Sequence, residues 1–202
     1  VMRRSSLYVV RAWFALFGAL SLNACGAPVK DSRIAKATRI VTLPIGIAAL
    51  SQAEDAPSLP AQICFGSARG RSALYLQFPA QRSARGLPLK AFIALSPREG
   101  APVDAAPATV EAWRVSAAWQ AEQLVAWSDK PELAPPYARA RLESSLPGEQ
   151  RIDVTELVRF AAKNPDLDFG IALLGSAGGG HGATFATGIS GGLAPRLEVY
   201  VR

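Results

Sequence analysis

Ser72-Ala73-Leu74-Tyr75-Leu76-Gln77-Phe78 alternates with a period of two. Leu74, Leu76 and Phe78 fall on one face of an extended strand, and Ala73, Tyr75 and Gln77 on the other. With one face on a core, the first set is buried and Tyr75 faces solvent. Tyr75→Asp is therefore expected to be mild where Leu76→Asp is not.

The same device recurs on both sides of this strand. Residues 89–95 direct Leu89, Ala91, Ile93 and Leu95 inward. From Thr109 the chain reads as a strand with Trp113 and Val115 inward and Arg114 outward. Phe169, Ile171 and Leu173 share a face, Phe185 sits in a short strand, and Leu197, Val199 and Val201 close the chain, with Arg196 outward and tolerant of Asp. Short strands at such intervals, parted by Pro, Gly, Ser and Asp, favour an antiparallel β-sandwich or barrel over a parallel α/β sheet. The 17 Gly and 15 Pro among 202 residues are too many for a helical bundle, and 50% apolar content is too high for a disordered chain. One all-β domain is the expectation.

A single helix interrupts the pattern. Asp153 followed by Glu156 resembles a capping box, and Val154, Leu157, Val158 and Ala161 recur at helical spacing until Asn164-Pro165 stops the run. It is expected to lie as a lid on the sandwich edge.

Arg3, Arg4 and Arg11 precede an apolar run over 12–22 in a segment without acidic residues. This is the layout of a secretory signal, and the run is too short to span a bilayer as a helix. It ends at Leu22-Asn23-Ala24-Cys25-Gly26, which resembles the lipobox of bacterial lipoproteins. The resemblance implies cleavage of 1–24 and a mature N-terminus at Cys25 carrying diacylglycerol and an acyl chain such as palmitate. Residues 25–37 then form the lipidated end and a polar, small-residue tether, and 38–202 the folded domain. The implied address is the cell envelope, with the outer membrane or cell surface favoured by Gly26 and the membrane reached through the lipid.

Removing the leader lowers Lys+Arg from 22 to 19 against 16 Asp+Glu, so the net charge falls from +6 to +3. The remaining arginines are scattered, and a nucleic-acid partner is not expected. With Cys25 acylated, Cys64 is left without a partner and reads as a small buried hydrophobe in the strand Gln62-Ile63-Cys64-Phe65.

From about residue 38 onward the order of features resembles the DNRLRE domain family of secreted and cell-surface proteins. The matching pieces are Ser72 to Phe78, Val125-Ala126-Trp127 with Pro131, and Ile152-Asp153-Val154-Thr155-Glu156-Leu157-Val158. They continue with Phe169-Gly170-Ile171-Ala172-Leu173, Ala183-Thr184-Phe185-Ala186 and Pro195-Arg196-Leu197-Glu198-Val199. The resemblance implies a jelly-roll-like sandwich, a non-catalytic module, and carbohydrate binding as the role of some members. The namesake run Asp-Asn-Arg-Leu-Arg-Glu is absent from this chain, so the fold carries over and ligand specificity does not.

Catalytic parts are sparse. His181, the one histidine, lies in Gly178-Gly179-Gly180-His181-Gly182, which reads as a solvated hairpin loop unsuited to hold a base. That run also lacks the Lys-Ser/Thr of a phosphate loop. No Cys/His spacing suits a metal, and no cofactor is expected. Glu122 and Asp129 flank Trp127 as a carboxylate pair, but read as a solvated turn. An enzyme, such as one acting on polysaccharide, is the least favoured class.

Sugar binding asks for exposed aromatic faces and planar polar groups. Tyr137, Arg139 and Arg141 alternate with Ala138, Ala140 and Leu142, so the first three share one strand face. They are the candidate ligand-binding residues, and the forked guanidinium favours an acidic polysaccharide. Trp113, Trp119 and Trp127 are assigned to core or rim packing. The expected function is a lipid-anchored envelope module holding a polysaccharide. The alternative is a structural or assembly lipoprotein that binds another envelope protein.

Overall fold

The computed structural model describes residues 37–52, 61–79, 88–98, 105–188 and 193–202. The expected leader over 1–24, Cys25 and all of the expected tether except its last residue, 37, lie outside the described residues. Two antiparallel sheets face each other. One has the order β1 (Thr38–Thr42), β11 (Arg196–Val201), β5 (Lys90–Leu95), β8 (Gln150–Asp153). The other has the order β2 (Gly46–Ser51), β4 (Ser72–Gln77), β9 (Ile171–Gly175), β6 (Ala108–Val115), β7 (Leu133–Leu142). Between consecutive strands the chain changes from one large sheet to the other at β1–β2, β4–β5, β5–β6, β7–β8 and β8–β9, and its last strand returns beside β1. This is the strand order of a jelly roll, with β2 added at one edge.

The core between the sheets is built from alternate residues. Leu74 and Leu76 of β4, Ala91, Ile93 and Leu95 of β5, Ile171 and Leu173 of β9, and Leu197, Val199 and Val201 of β11 all join it. Fully burying such a side chain is worth about 1.5–3 kcal/mol, which is why the alternation is held so strictly. A two-stranded unit of β3 (Gln62–Phe65) and β10 (Ala183–Ala186) adds Phe65 and Phe185 to the core, with ring centroids 6.2 Å apart. It sits against the chain leaving β5, where the Ala186 N–H donates to the Ser96 carbonyl at 3.0 Å.

Helix α1 (Thr155–Lys163) lies at the opposite end of β5. Asp153 Oδ1 accepts the Thr155 N–H at 3.0 Å, and Thr155 Oγ1 accepts the Ala91 N–H at 3.0 Å, which ties the helix start to the sheet. Glu156 does not complete a capping box; it pairs with Arg159 at 2.8 Å. Val154, Leu157 and Val158 enter the core, so the helix does serve as a lid. Pro165 opens a short 3-10 turn, Pro165–Leu167, where the helix stops.

The second sheet carries a second layer on its other face. Tyr75 is 0% exposed and packs with Ala48, Leu50, Ala73, Val115, Trp119, Leu124 and Ala172. Its ring meets Trp119 edge-on at 5.8 Å, and Trp119 Nε1–H donates to the Phe169 carbonyl at 2.7 Å. Tyr75 thus does not face solvent. Cover comes from the segment between β6 and β7, which carries two 3-10 turns, Ala121–Gln123 and Trp127–Asp129.

The phase of β6 is opposite to the expected one. Arg114 pairs across with Ile171, on the core side, and Trp113 with Ala172, on the outer side. Ala108, Val110 and Ala112 fill the core, Val115 is buried under the outer layer, and the Arg114 guanidinium lies 4.5 Å over the Phe160 ring. Phe169 likewise packs in the outer layer, apart from Ile171 and Leu173. Cys64 is only half-buried, because Ile63 and Phe65 take the inward positions of β3.

Candidate functional site

Tyr137, Arg139 and Arg141 stand together on the outer face of edge strand β7, while Leu142 is buried and Ala138 and Ala140 pack on the core. The register adds three residues from β6: Trp113 opposite Tyr137, Glu111 opposite Arg139, and Thr109 opposite Arg141. Residues directly opposite on one face of an antiparallel pair are in contact distance. The Trp113 and Tyr137 rings stack with centroids 4.4 Å apart and planes 13° from parallel. Tyr137 is 51% exposed, so the stack presents aromatic surface to solvent. Trp113 therefore belongs to this face and not to the core or rim.

Glu111 fixes the polar half of the site. Its Oε2 accepts the Trp113 Nε1–H at 3.1 Å and its Oε1 accepts the Arg139 Nε–H at 3.2 Å. The hydrogen bond from Arg139, and then the one from Trp113, hold the Glu111 carboxyl below its ordinary range. Arg141 Nε lies 3.4 Å from Glu143 Oε1. Both arginines thus have a carboxylate beside them, and the face is close to neutral in charge. An aromatic stack beside a fixed carboxylate–guanidinium pair can cover the C–H face of a sugar ring and hydrogen-bond its hydroxyls.

A second charged constellation occupies the outer face of the other sheet. Glu198, in the middle of β11, is 0% exposed. Arg39 from β1 pairs with Glu198 Oε1, and Arg196 Nε donates to the same oxygen at 3.1 Å. The fork of Arg196 grips Glu149, whose carboxyl is held low chiefly by that contact. Arg151 from β8 brings Nη2 to 3.1 Å from Glu198 Oε2 without aiming an N–H along that line, so Oε2 has no directed hydrogen bond. Phe92 and Tyr200 meet edge-on at 6.0 Å on the same face. Arg196 is therefore a network residue, not an indifferent surface charge. Sequence reading missed this cluster, since its only trace is a glutamate at an alternate position of a β-strand.

Asp129 accepts the Val125 and Ala126 N–H groups at 3.2 and 2.7 Å, and Lys130 lies 4.1 Å over Trp127; Glu122 is exposed. The pair is part of a turn. Cys64 Sγ donates to the His181 carbonyl at 2.9 Å, and His181 is exposed. The glycine run is no hairpin: it links β9 of the large sheet to β10 of the small one and lies along residues 66–68. Beneath α1 a cavity of about 20 Å3, lined by Arg114, Leu157, Asp168 and Ile171, has room for about one water. Burial raises the Asp168 pKa there. Among the described residues no group of three or more His, Cys, Asp or Glu is placed to hold a metal, and no helix is long and apolar enough to cross a membrane.

No family model matches the chain, and neither does any curated protein.

Proposed function

We propose that this chain is an envelope-tethered, non-catalytic module that holds a polysaccharide on the outer face of β6 and β7. The observation that carries the reading is the Trp113–Tyr137 stack beside the Glu111–Arg139 pair. Kinship with the DNRLRE domains is part of the proposal, and the jelly-roll strand order supports it. The balance of Arg139 and Arg141 by Glu111 and Glu143 moves the preferred ligand at this face from acidic toward neutral sugar.

Tyr137→Ala is expected to weaken glycan binding at least tenfold, a loss of about 1.4 kcal/mol. The melting temperature should barely move, because the ring is half-exposed and the core face of β7 is untouched. A glycan array on the wild type, followed by calorimetry on the variant, tests this. A wild type that binds no glycan, or a variant that binds as well, removes the reading.

In this proposal the lipid sits on Cys25. Cys25→Ser is expected to shift the protein from the membrane to the soluble fraction, because acyl chains supply about 0.8 kcal/mol per buried CH2. Mass spectrometry that finds no acyl group on wild-type Cys25 refutes the anchor.

The assembly alternative draws on a different surface. Val41, Leu43 and Ile45 are 48, 60 and 68% exposed where β1 turns into β2. A partner protein docking there would co-purify with the wild type and be lost on Leu43→Lys with Ile45→Lys.

A further inference from the structure

We propose that the arginine cluster around Glu198 is a second binding site, on the opposite sheet, for an oxyanion: a carboxylate, sulfate or phosphate, free or carried on a polymer. Three guanidinium groups meet two carboxylates here, leaving one positive charge in excess. A buried glutamate needs compensation, because a charge removed from water without partners is costly. Arg39 and Arg196 already supply it through Oε1. Arg151 adds its charge 3.1 Å from Oε2 without a directed bond, so its N–H donors stay open to a further acceptor.

Arg39 and Arg151 reach Glu198 from the two outer strands of the sheet, β1 and β8, and converge on its two oxygens. Their side chains remain 42% and 46% exposed. Each guanidinium carries five N–H donors in a fixed fork, most of them not used on Glu198. An oxyanion arriving above the glutamate meets donors from both sides, preset by the buried carboxylate that anchors them. Bidentate contact with such oxygens is the geometry guanidinium favours. Phe92 and Tyr200 lie alongside, in register with Glu198 and Arg39, and offer an apolar shoulder to whatever carries the anion.

The site is independent of the aromatic face on β6 and β7, so either reading can fail alone. The test is titration of the full-length protein with inorganic sulfate and with oligogalacturonate, at constant ionic strength in chloride. Arg151→Gln is expected to weaken binding at least fivefold with a melting temperature close to wild type, since Arg151 makes no directed bond to Glu198. Binding of sulfate alone assigns a free ion, and binding of the oligomer alone a polymer-borne one; both support the site. A wild type that binds neither probe, or an Arg151→Gln variant that binds like wild type, overturns it and leaves a closed ion-pair network.

Discussion

Tyr75→Asp is expected to abolish folding as completely as Leu76→Asp. Both positions of β4 are 0% exposed, one under the facing sheet and one under the outer layer that carries Trp119. Burial alone pushes the Tyr75 phenol up to about 12, and no hydrogen-bond partner reaches its hydroxyl. A carboxylate in that place would be buried without a counter-charge. The cost exceeds about 4–5 kcal/mol, which reaches the lower end of the 5–15 kcal/mol that holds a typical domain together. Tyr75→Phe should do the opposite and gain about 1 kcal/mol, because it deletes a buried hydroxyl that pairs with nothing. Tyr137→Asp, on the half-exposed outer face of β7, is the control and should melt within a few degrees of wild type. Circular dichroism and urea unfolding separate the three. A cooperative Tyr75→Asp melt near the wild-type temperature would show that the segment between β6 and β7 does not cover the sheet.

That contrast also marks how far a period-two pattern reaches. Alternation in residues 72–78, 91–95 and 196–201 identifies the strands and the side chains of the central core, since those faces are apolar at every second position, whereas Leu89 is half-buried and stands outside that core. Alternation also places Tyr137, Arg139 and Arg141 on one face, where the structure has them. A pattern of this kind does not know that a sheet is covered twice, so Tyr75 looked like a surface residue. In β6 it mistook the phase. Trp113 is apolar but lies outside because Tyr137 is there to stack on, and Arg114 is charged but lies on the core side because Phe160 receives its guanidinium. Both choices are made by partners far away in the chain. Gly170, with φ +104 and a Cβ position 2.4 Å from the Leu76 carbonyl oxygen, turns the chain between Phe169 and Ile171 and separates their faces. The Glu198 cluster is the extreme case, because residues 39, 151 and 196 meet only through the order of strands in the sheet. A candidate site read from one strand contained the exposed half of each pair and lacked Trp113 and Glu111, the residues that orient it.

Gly178→Ala is expected to destabilise the domain strongly, and Gly179→Ala, one residue on, hardly at all. The Gly178 N–H donates to the Ser67 carbonyl at 3.1 Å, and the Gly180 carbonyl accepts the Ala68 N–H at 3.0 Å, so the run is strapped to the chain after β3. A Cβ at 178 would stand 2.1 Å from the Gly66 carbonyl oxygen and 2.8 Å from its carbon, whereas one at 179 would meet nothing within 4 Å. The obstacle at 178 is backbone, which cannot swing aside as a side chain can. Relief requires the strap to lift from β3, and β3 with β10 holds Phe65 and Phe185 in the core. Forcing extra volume into a packed site costs about 1–3 kcal/mol, and each kcal/mol lowers the melting temperature of a domain this size by about 2–4 °C. Gly178→Ala should therefore melt about 5–10 °C below wild type, with Gly179→Ala inside the scatter of a neutral surface change. Native-state hydrogen exchange should place the loss at the Ala68 and Gly178 amides first, before the central strands. Equal tolerance at the two positions would mean that the glycines stand off in solvent as a loop, and that the small sheet holds the core without them.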